Sequence, residues 1–190
     1  MSVALIILGA GKGTRMNSDL PKVLHPIAGA PMLVHAMRAG ATLDPTHTVI
    51  VAGHGAEVVT KAAQTYDPDA KVVLQTEQLG TGHAVSQAAD ALAGFEGKVI
   101  VLYGDTPFVK PETLQAMLDA KADVVVLGFE PQDAGRYGRL VTNGSSLERI
   151  VEFKDASPEE RGINLCNSGV ICCNGTLLFD LLSQVKNNNA

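Results

Sequence analysis

Five apolar runs of strand length recur along the chain: Val3–Leu8, Thr46–Ala52, Lys71–Leu74, Val99–Tyr103 and Asp123–Phe129. They do not alternate strictly between polar and apolar. Continuous apolar character marks strands covered on both faces, as in a parallel sheet between helices. Helix-like segments lie between the runs. Pro31 suits a first helical position, with Leu33, Ala36, Met37 and Gly40 sharing one face. Ala56–Thr65, Gly82–Leu92 and Pro111–Lys121 follow, the last with Leu114, Met117 and Leu118 as its apolar stripe. This order predicts an open α/β sheet, mostly parallel, with helices on both faces. Right-handed crossovers bring successive loops to one sheet edge.

The pattern changes after Phe129. Arg139–Thr142 and Leu147–Phe153 read as a β-hairpin around Asn143-Gly144, a pair suited to positive φ. Leu165–Cys173 reads as another strand. Thr176–Val185 reads as a helix with Leu177, Leu178, Leu181, Leu182 and Val185 packed inward. The expected division is a core over 1–130, a smaller β-rich lobe over 131–175, and a helix with a polar tail over 176–190. The closing Asn187, Asn188, Asn189 and Ala190 read either as a flexible end or as part of something longer.

Composition narrows the function classes. A length of 190 residues suits one domain, or one with a small appendage, and holds a real apolar core. With 46% hydrophobic and 18% charged residues, bulk disorder and a coiled coil are excluded. A net charge of −5 argues against nucleic acid and anionic membrane as partners. Aromatics at 4% and the absence of Trp offer no base-stacking platform. Cys166, Cys172 and Cys173 form no CxxC and read as buried thiols in a reducing compartment, hence a cytoplasmic location. Val3–Leu8 has no basic stretch before it and is too short for a signal core or a membrane span.

The loop after the first run is GAGKGTRM, Gly9 to Met16. Its three glycines permit close backbone approach and can aim several N–H groups at a phosphate. It is not a dinucleotide fingerprint: Thr14 stands where the third glycine belongs, and Val51-Ala52-Gly53 supplies no ribose-binding acid. It is not a Walker loop either, because Gly13 follows Gly11-Lys12 and Ile6 takes the first glycine position. Lys12, Arg15 and Lys22 outweigh Asp19 here, a local excess of cations in an acidic chain. The loop suits an anionic ligand, with Arg15 as a fork for phosphate oxygens and Lys22 as a point charge.

Tyr103-Gly104-Asp105 ends a buried run and faces the same sheet edge. Beside a phosphate site, the Asp105 carboxylate suits Mg²⁺. Gln75 offers an amide for a base edge, and Gly80-Thr81 offers close approach with a hydroxyl, or simply a helix start. Glu152 and Asn167, with Gly138 at a bend, suit the hydroxyls and amide of a neutral sugar. Among the histidines there is no HExxH, and neither Ser86 nor Ser168 sits in a nucleophile elbow. Catalysis would then rest on positioning and charge neutralisation.

LGAGKGTRM (Leu8–Met16) and LPKVLHPIAG (Leu20–Gly29) are typical of sugar nucleotidyltransferases. QTEQLGTGHA (Gln75–Ala84), YGDTP (Tyr103–Pro107), YGR (Tyr137–Arg139), VEFKDA (Val151–Ala156) and the final NNNA narrow the likeness. From Val3 to Ala190 the chain resembles the N-terminal uridyltransferase domain of the bacterial bifunctional enzymes of UDP-N-acetylglucosamine synthesis. The resemblance implies a Rossmann-like nucleotidyltransferase sheet with a sugar-binding lobe. It implies the reaction of UTP with N-acetylglucosamine 1-phosphate, giving UDP-N-acetylglucosamine and pyrophosphate for cell-envelope precursors. It implies Leu8, Gly9, Ala10 and Gly11 against uracil and ribose, and Gln75 with Gly80 and Thr81 reading uracil. Arg15 and Lys22 would be the catalytic cations, and Tyr103 and Gly104 would join Asp105, the Mg²⁺ ligand. Gly138, Glu152 and Asn167 would hold the N-acetylglucosamine part.

Two positions depart from the family pattern: Gly9 replaces the usual Ala, and Ser168 replaces the usual Thr of Asn-Thr-Gly. The family's catalytic domain continues further and supplies an asparagine as second metal ligand. A left-handed β-helix follows it, forming trimers and carrying acetyl transfer. The 190 residues alone are therefore expected to be monomeric and weakly active or inactive. The alternatives are a pyrophosphorylase for another sugar phosphate or nucleotide, and a non-catalytic nucleotide-sugar-binding domain.

Overall fold

The computed structural model describes residues 2–11, 13 and 16–185. The first apolar run becomes β1 (Val3–Gly9), buried along its whole length. The two-residue strands β2 (Pro26–Ile27) and β3 (Ala30–Pro31) pair as a small antiparallel ribbon. Next come α1 (Met32–Ala41), β4 (His47–Ala52), α2 (Ala56–Tyr66), β5 (Lys71–Leu74) and α3 (Thr81–Ser86). They are followed by β6 (Lys98–Tyr103), α4 (Pro111–Asp119) and β7 (Val124–Phe129). The last third holds β8 (Arg139–Asn143), β9 (Ser146–Val151), α5 (Pro158–Arg161), β10 (Cys166–Asn174) and α6 (Gly175–Gln184). The chain divides into two compact units, Met1–Val125 with Ile171–Ala190, and Val126–Val170.

In the first unit the strand order is β5-β4-β1-β6. Ile6 of β1 pairs in parallel with Val49 of β4 and Val101 of β6. The end of β10 runs antiparallel to β6, with Ile171 opposite Val101. Side chains alternate across the sheet, so Ala4, Ile6 and Leu8 share one face while Leu5 and Ile7 take the other. On the first face, Val49, Val51, Val99 and Val101 join them against Ala84 and Val85 of α3 and Leu178 of α6. On the second face α1 lies so close that a β-carbon on Gly40 would meet Leu5 Cδ1 at 2.4 Å. Among the described residues no helix is long and apolar enough to cross a membrane.

Three local expectations are corrected. Pro31 caps α1 rather than opening it. The expected helix over 82–92 is α3, ending at Ser86, then a 3-10 turn at Asp90–Leu92. The reason lies at His83 O, which accepts from Ser86 Oγ (2.8 Å) and Gln87 Nε2 (3.1 Å). These bonds compete with the helical ladder, and the backbone N–H of Gln87 turns to Ala84 O instead. Of the five leucine and valine positions expected to face inward, only Leu178 is buried; Leu177 and Leu182 pack at the core margin, while Leu181 and Val185, which caps α6, are exposed. Their spacing spreads over a wider arc than the sheet can cover.

The second unit bears out the hairpin. β8 and β9 pair antiparallel from Arg139–Val151 to Asn143–Ser146, turning through Gly144 at φ +59°. The start of β10 pairs β8 at Cys166–Arg139, and Ser168 Oγ donates to Leu127 O of β7 at 2.7 Å. α5 opens with a capping box in which Ser157 Oγ accepts from Glu160 N (3.2 Å) and Glu160 Oε2 accepts from Ser157 N (2.8 Å).

All three cysteines are buried and free. Burial pushes the Cys172 and Cys173 thiols above their ordinary 9.0, partly offset by nearby Lys98. A raised native value means that this contribution to stability is present below about pH 9 and lost as pH rises beyond it. Native protein at pH 8 is expected to resist iodoacetamide at all three thiols, and denatured protein to take up label. Mass spectrometry of labelled native protein checks this, and rapid labelling of Cys172 or Cys173 would contradict it.

Candidate functional site

Where β1, β5 and β6 end, the first unit opens into a cavity of about 330 Å³. Leu8 and three residues of the glycine loop, Gly9, Ala10 and Gly11, line it. Lys22 and Val23 enter from a 3-10 turn at Lys22–Leu24. Gln75, Gln78 and Gly80 come from the β5–α3 connection, Thr81 and Ala84 from α3, and Tyr103 and Asp105 from the end of β6. β5 and β6 stand three strand spacings apart, which separates their loops by about 14 Å. That reach suits an extended ligand.

The loops after β1 and β6 are tied together. Gly104 N donates to Leu8 O at 2.8 Å, carrying the β1–β6 pairing one step past the strands. Thr106 closes the turn on Tyr103 O through its backbone N–H (3.1 Å) and its hydroxyl (2.8 Å). Asp105 is thereby held at the cavity. Lys22 Nζ donates to Asp105 Oδ2 at 2.5 Å. The lysine is anchored by the buried Val23 and Leu24 that follow it and packs against Gly13. Gly13 has φ +59°, and a β-carbon there would lie 2.7 Å from Lys22 Cβ, so only glycine fits. The pair is part-exposed, 41% and 27%, and as a bond it contributes only about 0–1 kcal/mol. Its weight is in the placement of one cation and one carboxylate at the same point.

Toward β5 the site is neutral. Gln75 N donates to Ala52 O at 2.8 Å, fixing the residue at the end of the sheet. Its side chain is buried, 6% exposed, with Nε2 donating to Gly80 O (3.1 Å) and lying 3.1 Å from His83 Nδ1. The amide nitrogen is thus turned to α3, and Oε1 is left as the acceptor for a ligand. This narrows the sequence reading, which gave Gln75 both roles. Gly80 caps α3 and Thr81 begins it, so the helix-start reading of that pair holds and the pair lines the cavity as well.

In the second unit, Asn167 N donates to Gly138 O at 2.9 Å. A β-carbon on Gly138 would stand 3.2 Å from Glu152 Oε1. Asn167 Oδ1 accepts from Gly169 N at 2.9 Å, leaving its Nδ2 as donor. The structure therefore brings Gly138, Glu152 and Asn167 together, and Tyr137 beside them stacks edge-on against Phe129 at 4.9 Å. Arg139 is the buried organiser of this turn. It is 2% exposed and donates to Tyr137 O, Gly135 O (3.1 Å), Ala134 O (3.3 Å) and Arg161 O (3.3 Å).

Lys12 and Arg15 lie outside the described residues, as do Asn187, Asn188, Asn189 and Ala190. Among the described residues no group of three or more His, Cys, Asp or Glu could hold a metal. Among the described residues that line the cavity, Asp105 is the one carboxylate. One carboxylate fits Mg²⁺ when ligand phosphates and water complete the shell. The Lys22 ammonium against Oδ2 shows that this oxygen is already open to a cation. Sequence reasoning missed Val23, Gln78 and Ala84. Val23 and Ala84 carry no chemistry to notice, whereas Gln78 lay within the quoted QTEQLGTGHA and was legible as a second amide.

A parallel sheet whose strand ends hold a glycine loop, a cation and a carboxylate around one cavity defines a nucleotidyltransferase-type α/β domain. The chain belongs to the MobA-like NTP transferase domain family, whose profile matches residues 5–164. It is 68% identical over 192 residues to the bifunctional protein GlmU of Roseobacter denitrificans, covering 100% of this chain and 43% of that protein. It is 67% identical to the bifunctional protein GlmU of Ruegeria pomeroyi, again over 100% and 43%. The chain thus spans less than half the length of these curated relatives. Its fold is that of a glucose-1-phosphate thymidylyltransferase from Bacillus anthracis, with TM-score 0.79, 21% identity, and 97% of this chain and 76% of that one covered. A UDP-glucose pyrophosphorylase complexed with UDP-glucose also shares it, with TM-score 0.79, 20% identity, and 100% and 83% covered. The Rossmann-like nucleotidyltransferase fold expected from sequence is borne out.

Proposed function

We infer that this chain is a uridyltransferase domain that joins UTP to N-acetylglucosamine 1-phosphate, giving UDP-N-acetylglucosamine and pyrophosphate. The observation that carries the reading is the meeting of Lys22 and Asp105 in a cavity whose other end is lined by Gln75, Gly80 and Thr81. One end is suited to phosphate, the other to a base. The names of the 68% and 67% identical relatives support the same assignment.

The chemistry is an in-line attack by the sugar-phosphate oxygen on the α-phosphorus of UTP. A P–O bond forms there, and the bond to the pyrophosphate oxygen breaks. Leu8, Gly9, Ala10 and Gly11 hold the nucleoside, with Gln75 Oε1 accepting from the uracil imide N–H. Tyr103 completes the wall, while Gly104, which does not line the cavity, ties the turn to Leu8 O behind it. Asp105 would hold Mg²⁺, which would supply withdrawal of charge from the phosphate oxygens. Lys22 turns from Asp105 to phosphate, and Arg15 neutralises the departing pyrophosphate. Gly138, Glu152 and Asn167 hold the N-acetylglucosamine hydroxyls and amide. The acetyl transfer and trimer implied by the resemblance belong to the longer parent protein, and the 190 residues are proposed to be monomeric.

Pyrophosphate release in the longest native form of the chain tests the reading, with UTP, dTTP and GTP compared by kcat/KM in the presence of Mg²⁺ and N-acetylglucosamine 1-phosphate. UTP is expected to be preferred. A preference for dTTP or GTP would move the chain to another nucleotidyltransferase activity. Binding of UDP-N-acetylglucosamine without turnover would make it a non-catalytic binding domain.

A further inference from the structure

A second cavity of about 430 Å³ lies behind the neutral end of the first. Gly53, His54, Ala56, Leu74 and Thr76 line it. Gln75 and Gln78 line both cavities, so these two side chains form the wall between them. Gln75 is built into that wall by its bonds to α3. Gln78 differs: it is exposed, and its one hydrogen bond reaches across the chain, Nε2 donating to Ala10 O at 2.9 Å. It therefore acts as a bar from the β5–α3 connection to the glycine loop.

The other end of the bar is fixed. Ala10 O sits so close over Gly53 that a β-carbon there would be 2.7 Å from the oxygen and 3.0 Å from Ala10 Cβ. The carbonyl is held between the Gly53 backbone and the Gln78 amide, and cannot swing toward either cavity without breaking a contact. Ala10 is also one of the residues assigned to the nucleoside. The bar thus sets the depth available to a base.

We propose that Gln78 is the specificity-determining residue of the nucleoside site, closing it to purines by standing between the base end of the cavity and the empty space behind it. This rests on the uridyltransferase reading above. A single-ring base fits in front of the bar. A second ring directed past Gln75 needs the space that Gln78 blocks, and Gln78→Ala joins the two cavities. Gln78→Glu keeps the length of the side chain but loses the donor, so it retains the obstruction while releasing Ala10 O.

The experiment measures kcat/KM for UTP and ATP in the longest native form, and the Kd of both nucleotides by calorimetry, for wild type, Gln78→Ala and Gln78→Glu. Because Gln78 is exposed, neither substitution removes a core contact. The UTP-over-ATP ratio is expected to shrink by about tenfold or more in Gln78→Ala, through improved ATP binding. In Gln78→Glu the UTP Kd rises while ATP stays excluded. A ratio unchanged in Gln78→Ala, with UTP still bound as in wild type, overturns the proposal and leaves the uridyltransferase reading intact. A wild-type protein that does not prefer UTP overturns that reading, and the proposal with it.

Discussion

Asp105→Asn is expected to reduce kcat by roughly 10²–10³-fold, the scale of removing one electrostatic contact made in the transition state. The substitution keeps the shape of the side chain and the turn closed by Thr106 on Tyr103 O. It removes one negative charge, and with it the charge opposite Lys22. Binding of UDP-N-acetylglucosamine without metal is expected to hold or tighten, because the lysine is released toward phosphate and a repelling carboxylate is gone. The split between turnover and binding is what distinguishes the proposed role from a structural one. Stability should barely move, since a part-exposed ion pair contributes about 0–1 kcal/mol. A Mg²⁺ titration is the direct measurement: the half-saturating concentration should rise steeply in Asp105→Asn. A titration curve identical to wild type would remove Asp105 from the metal site.

Arg139→Leu is expected to destabilise the second unit by roughly 3 kcal/mol or more, read from urea denaturation, because four backbone carbonyls lose the one buried side chain that donates to them. The side chain is 2% exposed and holds Ala134 O, Gly135 O, Tyr137 O and Arg161 O. Its guanidinium also lies 5.8 Å from the Phe153 ring. Arg139→Lys keeps the charge but not the planar fork, and is expected to fall between wild type and leucine. A loss below about 1 kcal/mol in Arg139→Leu would show that water takes over the carbonyls. Nucleotide binding to the first unit's cavity should survive both substitutions.

Much of the fold was readable because the strand signal was unbroken apolar sequence. Val3–Leu8 has no polar interruption, and only a strand covered on both faces tolerates that. The hairpin was readable from Asn143-Gly144, where the turn needs positive φ. The end of α3 was hidden because it depends on side chains bonding to one carbonyl, His83 O, which apolar spacing does not record. The exposure of Leu181 and Val185 was hidden for a related reason: five apolar positions on α6 exceed what one sheet face covers.

For the candidate site, residue chemistry went far toward locating Lys22 and Asp105, since both follow buried or proline-marked segments at one sheet edge. Their direct contact was not readable, because it spans 83 positions of sequence. Gln78 was equally remote from Ala10, 68 positions away. The sugar nucleotide itself entered through motif resemblance, since an amide and a carboxylate fit many neutral ligands.

The partners of Arg139 have a further consequence. Among the described residues its guanidinium donates to backbone carbonyls and to no acid. Side chains at Ala134, Tyr137 and Arg161 can therefore be exchanged without loosening the clamp, so long as the main chain keeps its path. The loop that carries Gly138 is thus set by one guanidinium acting on backbone oxygens, whatever side chains its neighbours bear.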